Sequence, residues 1–554
     1  MTSNDGSLRL WALGGLGEVG MNCLVMEAEQ RLIVIDCGLT FPDREPGVEL
    51  IHPDFETLLR RHQDLLAIVL THGHEDHVGA IPYLLRDIDR AIPVYGPPYA
   101  LQVLRERLAE VDVPHPPPLY ELRPRDVLPL GPFEITPFRV THSMPDCLGL
   151  VLKTPAGTIV HTGDFKLERD PLDGQSSDEE LLRMTGDAGV RLLMSDSTNS
   201  EVPGCAGREQ DVEAALKSRI EQAPARVLVC MFGSNILRVG AVLRAAAATR
   251  RRVLLLGRSL RTHARIAREL GMLPDYPTTI VQEDDAQNVP RDELLVLATG
   301  SQGEPAAALR RLANGSHHKL KLERGDEVIL SSRIIPGRER QVHSMMDALE
   351  RSGVRVYSRQ DDSSLHVSGH AGRDEQARML ELTRPRSFIP LHGSYVHLTR
   401  HAALAKTMGV EDALIVENGA VVELDATSMR ITGQIPIGRI HLQGGEAIDG
   451  PILSERTRLS EGGVVVVTVR VDANGRLIAP PHIGTRGVVD EDTLEDLGIV
   501  HNAEIEVARA LKKLGNDISR GAIETAVSRA ARRVFRDGLG FKPVVHAHVD
   551  MLDR

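Results

Sequence analysis

Short apolar runs cut by Gly, Pro and polar residues open the chain, and residues 8–13, 23–26, 31–36 and 66–70 each read as a strand. The pattern resumes over 133–135, 139–142, 149–153 and 158–164, and again at 191–194. Past Cys205 the texture changes. Apolar runs at 227–232, 253–256, 294–298, 328–330 and 354–357 alternate with helical stretches such as 236–247 and 341–351, which predicts a parallel sheet covered by helices. Residues 425–463 are rich in Gly and Pro and read as a linker with little core of its own. A last domain begins with the run 464–471, and its Asn474-Gly475 pair predicts a two-residue hairpin turn. Ile523, Val527, Ala530 and Val534 then recur on one helical face, and 544–549 alternates like a closing strand.

Several of these runs end in metal-binding residue types. After the apolar run 65–70 comes Thr71-His72-Gly73-His74-Glu75-Asp76-His77, three histidines and an aspartate within six positions. A strand that delivers such a loop into a helix N-terminus points these side chains at one small volume, and imidazole with carboxylate suits zinc or manganese. His142, Asp164 and Asp196 end later runs, and His366, His370 and His392 lie in two further segments of the same kind. His72, His74, Asp76, His77, His142, Asp164 and His392 suffice for two divalent ions if one of them bridges.

Gly15-Leu16-Gly17-Glu18-Val19-Gly20, with Asp36 at about the ~20-residue distance, also fits a dinucleotide fingerprint. That fingerprint needs a helix straight after the glycines, whereas residues 22–26 run into a turn at Glu29-Gln30-Arg31 and another strand. The glycines are therefore expected to turn at the edge of a metal site.

Bulk properties narrow the picture. At 554 residues the chain is too long for one core and predicts roughly three or four domains. The net charge of -12 argues against a generally basic nucleic-acid binder. Residues 226–270, however, hold ten arginines against Glu269 alone, and about half of that excess is expected to line a groove for phosphates without reading sequence. Five scattered cysteines, Cys23, Cys37, Cys147, Cys205 and Cys230, with no Cys-x-x-Cys pair, favour a reducing compartment. The N-terminus lacks a signal-peptide pattern, and no apolar run approaches the ~20 residues that span a bilayer. A cytoplasmic protein without membrane association is expected.

The unbroken His72-x-His74-x-Asp76-His77 resembles the signature of the metallo-β-lactamase superfamily. Asp196 in Ser-Asp-Ser-Thr-Asn, His370 in His-Val-Ser-Gly-His and His392 in Pro-Leu-His-Gly resemble the three motifs of the β-CASP nucleases, and residues 299–305 resemble another segment of that group. With the glycine opening at 14–22, the segment 459–463 and the last domain, the chain is similar to the bacterial ribonuclease J family over nearly its whole length.

That resemblance implies an α/β protein. A metallo-β-lactamase αββα sandwich would be split between 1–205 and 358–450, with a parallel α/β β-CASP domain inserted at 206–357, a linker at 451–463 and a small α+β C-terminal domain at 464–554. It implies one ion on His72, His74 and His142, another on Asp76, His77 and His392, and Asp164 bridging, with zinc first and manganese as the alternative. Asp196 and His370 would complete the site, His370 as proton donor or phosphate orienter, or else only supporting a ligand. Ser234, Asn235, His366, Ser368 and Gly369 would grip a 5'-monophosphate, although Ser-Asn after a strand is also an ordinary helix cap. Ser394 departs from the family, which commonly has an acidic residue there.

The implied activity is hydrolysis of single-stranded RNA, 5'-to-3' from monophosphorylated ends and also internally, in RNA maturation and decay. The implied assembly is a homodimer or higher homo-oligomer through the C-terminal domain, with RNA-degradation proteins as partners. Two rivals are weighed against this. A small-ester metallohydrolase of the glyoxalase type is disfavoured by the arginine-rich insertion and the Asp196 and His370 motifs. A non-catalytic RNA-binding scaffold is disfavoured by the complete ligand set.

Overall fold

Two sheets face each other across one apolar core in the larger of the two units into which the chain divides, Met1–Phe41 with Ile51–Ile440. The computed structural model describes residues 6–273, 279–335, 337–490, 493–514 and 519–552. The first sheet has eight strands in the order Met429–Gln434, Ala420–Leu424, Leu8–Gly14, Cys23–Ala28, Arg31–Ile35, Leu65–Val69, Val94–Gly96, Leu119–Glu121. The second has seven: Asp412–Ala413, Ser387–Leu391, Leu192–Asp196, Gly157–His161, Leu148–Thr154, Phe133–Arg139, Leu128–Leu130. Alternate residues from both, such as Leu10, Met26, Ile33, Ile135, Leu150, Leu192 and Ile389, fill the space between them. Helices such as Tyr395–Thr407 pack on the outer faces, giving the αββα sandwich. Residues 133–139 form one continuous strand rather than two short ones, because Leu148–Thr154 pairs with it along its length.

The inserted layer is a six-stranded parallel sheet in the order Ile280–Val281, Arg252–Leu256, Leu294–Ala298, Val227–Cys230, Glu327–Leu330, Arg355–Tyr357. The alternation of apolar runs and amphipathic helices anticipated it. After Val227–Cys230 the chain crosses to one side of the sheet, and after Glu327–Leu330 to the other. Those neighbouring strands form the switch point where parallel sheets leave a crevice at their carboxyl ends. Ser234 follows one of them and Ser331 the other.

The second unit, Pro42–Leu50 with His441–Arg554, has its own core. Val464–Asp472 runs antiparallel to His482–Arg486 and parallel to Val544–Leu552. Val465, Val467, Val469 and Val471 point to helices Leu494–Lys512 and Arg520–Leu539, where Ile523, Val527, Ala530 and Phe535 meet them. The turn differs from the two-residue loop expected of Asn474-Gly475: Gly475 but not Asn474 has positive φ, its N–H donates to the Asp472 carbonyl, and the Asp472 N–H donates to the Arg476 carbonyl, which closes a three-residue loop. The stretch 425–463 expected as linker is ordered as strands Met429–Gln434 and Arg439–Gln443 and helix Gly450–Gly462, and in that helix only Gly462 is buried.

One helix end bears on the site. Pro98–Leu108 lacks a side-chain cap of its own, and Asp146, four residues past His142, accepts the Tyr99 N–H at 2.9 Å. Burial pushes the Asp146 carboxyl up to about 7 against the pull of that bond and of Arg139, and its second oxygen is buried without a partner. A raised folded-state pKa means stability is complete below the ordinary carboxylate range and is lost as pH rises through about 7. Asp146→Asn, which keeps an acceptor for Tyr99, is expected to melt higher than the wild type at pH 8 and within a degree or two of it at pH 4. Parallel melting curves across that range would remove Asp146 as the titrating group.

Candidate metal centre

The site lies where strands of both sheets end. Residues 192–196 run parallel to 157–161 on one side and to Ser387–Leu391 on the other, with Asp196 opposite Leu391, so Asp164, Asp196 and His392 emerge along one edge. A bridge between Thr141 and Lys166 brings His142 to the same place. The loop after Leu65–Val69 enters the short helix Glu75–Val78 and supplies His72, His74, Asp76 and His77. Gly38 allows this loop to come close: a Cβ there would sit 1.7 Å from the Asp76 carbonyl oxygen.

Nitrogens and oxygens converge in three overlapping groups, each with its donor atoms within 4.8 Å of one another: His72, His74, His142 and Asp164; Asp76, His77 and His392; and Asp164, Asp196, His370 and His392. Nε2 of His72 and of His142 lie 3.0 and 3.2 Å from Nδ1 of His74. Asp164 Oδ2 is 3.8 Å from His72 Nε2, 3.9 Å from His142 Nε2 and 3.3 Å from His77 Nε2, while Oδ1 meets His392 Nδ1 at 2.7 Å. Asp76 Oδ2 stands 3.8 Å from His77 Nε2 and 3.4 Å from His392 Nε2. All seven expected ligands are thus brought together.

Whether this set fits metal ions turns on where the imidazole protons are. His142 Nδ1–H donates to the Gly369 carbonyl at 2.7 Å and His77 Nδ1–H to Asp36 Oδ2 at 2.8 Å. Asp36 also accepts the Thr71 hydroxyl at 2.7 Å, leaving that oxygen to accept from His72 Nδ1 at 3.0 Å. Each bond places a lone pair on Nε2, pointing inward, as a cation needs. Burial holds His72 and His142 far below the ordinary imidazole pKa, and takes His74 to about 4 against the pull of Asp76 and Asp164. For His392 the carboxylates of Asp164 and Asp76 overcome burial and raise it to about 10, although its Nε2 is buried without a hydrogen bond. His77 is likewise raised well above the ordinary imidazole range, Asp164, Asp76 and Asp36 overcoming its burial, so neutral rings at His72, His74 and His142 meet rings at His77 and His392 that the carboxylates draw toward positive charge, a demand that divalent cations would meet.

His370 stands beside this cluster, its Nδ1 2.8 Å from Asp196 Oδ2 and 3.9 Å from Asp164 Oδ2. Asp196 Oδ1 is taken by the Thr198 N–H and hydroxyl, at 2.9 and 2.7 Å, so this buried carboxylate acts on His370 rather than on solvent. Asn199 ties the adjoining segment down by donating to Ser368 Oγ at 2.8 Å and to the His370 carbonyl at 2.9 Å. Gly369 is pressed against His142, where a Cβ would come within 2.9 Å of the ring.

Of the residues expected to seat a phosphate, His366 lies against Arg238, Ser368 against Asn199 and Gly369 against His142, while Ser234 follows the strand Val227–Cys230. The groups of Asn235 are engaged locally: its Oδ1 caps the helix Ile236–Ala248, a side-chain bond reaches Glu209, and its N–H donates to the Phe232 carbonyl. The ordinary helix-cap reading holds there. The arginines of residues 226–270 are engaged in different ways. Arg226 pairs with Asp326, Arg238 with Glu209, Arg244 with Glu213 and Arg265 with Glu106, and Arg251 caps the carbonyls of Ala223 and Ala225. Arg226 and Arg238 are neutralised inside the protein, whereas the Arg244 and Arg265 pairs are part-exposed. Thr71 and Asn199 are assigned no site role by the sequence and Asp36 only the acidic position of the dinucleotide fingerprint, although it ends a strand with a carboxylate as Asp164 and Asp196 do.

Family models cover the chain in order. They are the beta-lactamase superfamily domain over residues 31–217, the ribonuclease J beta-CASP domain over 224–349, the Zn-dependent metallo-hydrolase RNA specificity domain over 362–416, and the ribonuclease J C-terminal domain over 451–550. Ribonuclease J of Mycolicibacterium smegmatis is 39% identical over 97% of this chain and 95% of its own length. The chain belongs to the ribonuclease J family. Ribonuclease J of Mycobacterium tuberculosis (strain H37Rv) is 41% identical over 88% of each chain, and ribonuclease J2 of Bacillus subtilis 35% identical over 88% of each. A solved protein of unknown function from Enterococcus faecalis V583 aligns with a TM-score of 0.54 at 17% identity, over 76% of this chain and all of its own, a likeness of fold. The glycines at 15, 17 and 20 form no nucleotide fingerprint: all three have positive φ, a strand follows, and Gly15 O accepts the His392 N–H.

The Asp36 contacts generate a test. In Asp36→Asn an amide replaces one of two acceptor oxygens that serve His77 and Thr71, leaving His77 free to turn. Divalent-metal affinity, measured by equilibrium dialysis with elemental analysis, is expected to fall roughly 10- to 100-fold. Unchanged affinity would show that His77 is held by other means.

Proposed function

We propose that the chain is a metal-dependent ribonuclease that hydrolyses RNA phosphodiesters, 5'-to-3' from monophosphorylated ends and also internally. Membership of the ribonuclease J family supports the ribonuclease reading, and the observation that carries the chemistry is the convergence of seven donor residues on the shared Asp164 carboxylate. One ion would rest on His72, His74 and His142 and a second on Asp76, His77 and His392, with Asp164 between them. The imidazole-rich donor set favours zinc, with manganese as the alternative. Bound there, divalent ions would polarise phosphoryl oxygens and make water a nucleophile at neutral pH.

The chain's own residues supply the rest. His370, aligned by Asp196 and partly open to solvent, faces the position where the leaving sugar oxygen departs, and donates the proton it needs. Ser234, His366, Ser368 and Gly369 seat the terminal phosphate in the crevice at the strand ends. Single-stranded RNA enters this crevice, since paired strands cannot present one terminal phosphate at depth. The second unit supports assembly into a homodimer or higher homo-oligomer, and cytoplasmic RNA maturation and decay, with RNA-degradation partners, is the setting that fits. No helix among the described residues is long and apolar enough to cross a membrane.

Two experiments test this. Asp164→Ala is expected to lower the rate of RNA cleavage by about a thousand-fold or more while the melting curve stays cooperative, a loss on the scale of removing a transition-state stabilising group; full activity in that variant would end the metal assignment. The second compares one RNA carrying a 5'-monophosphate, triphosphate or hydroxyl. Mononucleotide release is expected to be fastest from the monophosphate and to stop on EDTA addition. Equal release from all three ends would remove the phosphate pocket, and release in EDTA would remove the metals.

A further inference from the structure

Arg238, near the start of helix Ile236–Ala248, is buried to 2% exposure, and a guanidinium has five donors and no acceptor. Its Nε and Nη2 pair with the two carboxylate oxygens of Glu209 at 3.0 and 2.5 Å. Nη1 donates to the Ser331 carbonyl at 3.0 Å and Nη2 to the Val367 carbonyl at 3.2 Å. Nη1 also lies 2.9 Å from Nδ1 of His366. Arginine does not lose its proton in a protein, so the ring nitrogen must be the acceptor, and a neutral imidazole then carries its one proton on Nε2. Burial together with Arg238, Arg359 and Arg333 holds His366 well below the ordinary imidazole pKa, with the Ser331 main chain pulling the other way, so the ring stays neutral.

We propose that Arg238 is a positioning residue for the 5'-phosphate pocket: its bond to Nδ1 fixes His366 as the Nε2–H tautomer, so that the ring offers the terminal phosphate a neutral donor in one orientation. This rests on the reading of His366 as part of that pocket. The same buried network reaches the metal centre. The Glu209 N–H donates to Glu168 Oε1 at 2.6 Å, and Lys166 Nζ lies 2.6 Å from Glu168 Oε2, both residues on the loop just after Asp164. Ser331 Oγ donates to the Leu365 carbonyl at 2.7 Å, anchoring the segment that carries His366 from its other side. The donor that would recognise the RNA end and the loop that carries Asp164 are therefore held by one set of ionic contacts.

The alternative is that Arg238 and Glu209 are only a buried staple. Truncating one of them would leave the other's charge alone in the interior, so the variants keep the charges balanced. Arg238→Lys keeps a cation for Glu209, but its one nitrogen replaces the separate Nε, Nη1 and Nη2 that reach Glu209, the Ser331 carbonyl and His366 from different positions. Arg238→Gln together with Glu209→Gln removes both charges. In the full chain, nitrogen NMR of labelled histidine reads the tautomer, with the His366 signal identified by its loss in His366→Gln. The wild type is expected to show the proton on Nε2, and both Arg238 variants a mixture of states. Their KM for 5'-monophosphorylated RNA is expected to rise roughly ten-fold, the worth of one well-made hydrogen bond, with the loss falling on KM rather than kcat and absent for 5'-hydroxyl RNA. His366→Gln, whose amide nitrogen falls near ring Nε2, is expected to retain more monophosphate preference than His366→Asn. A wild-type proton on Nδ1, or a preference that survives in both Arg238 variants, overturns the role of Arg238. A wild-type chain that treats both ends alike overturns the pocket itself.

Discussion

The Asp164 carboxylate is approached by five imidazoles, those of His72, His77, His142, His370 and His392, at 2.7 to 3.9 Å. In an interior of low dielectric such a cluster holds together only if each ring is oriented by a partner behind it and the carboxylate lies at its centre. Asp36, Thr71, the Gly369 carbonyl and Asp196 are those partners for His77, His72, His142 and His370, and His392 is held instead through its main-chain N–H on the Gly15 carbonyl. They come from different strand ends, so the site exists only when both sheets of the sandwich are in register. The fold and the chemistry are for this reason one constraint: a slip of Gly157–His161 against Leu192–Asp196 would take Asp164 off the common edge.

The inserted parallel sheet joins this constraint through the segment that returns to the sandwich. His366 and Val367 are gripped by Arg238, Ser368 and His370 by Asn199, and Gly369 by His142. Five consecutive residues are thus fixed by partners from the inserted sheet, the sandwich and the metal centre. Arg333 extends the same tie, reaching Asn199 Oδ1 at 3.1 Å. A loop so restrained gives its N–H and hydroxyl donors fixed directions, which a phosphate site needs.

Much of this was legible along the chain because it depends on local order. Strand-forming runs announce themselves by composition, and residues at their ends share an edge once the runs pair in parallel, which is why the metal ligands could be named together. The orienting residues could not be read in the same way. Asn199 and Arg238 lie more than a hundred residues from the groups they hold, and nothing in their neighbourhood distinguishes them from a loop amide or an exposed helical arginine. Charge counting is blind for the same reason: an arginine facing Glu213 or Asp326 looks in sequence like one facing solvent.

The opening glycines show how a local rule is overruled by tertiary packing. A dinucleotide fingerprint uses its glycines to let a helix start against a phosphate, but here the chain must double back between Leu8–Gly14 and Cys23–Ala28. Within that return Gly14 leaves room for the Met21 carbonyl, which a Cβ would meet at 2.1 Å. Gly15 then presents its carbonyl to the His392 N–H, and Glu18 its carbonyl to that of Gly393. The glycines so hold the main chain of a residue whose ring contacts Asp164 and Asp76. Close backbone approach is the property both motifs share, and only the element that follows decides whether it serves a phosphate or a metal centre.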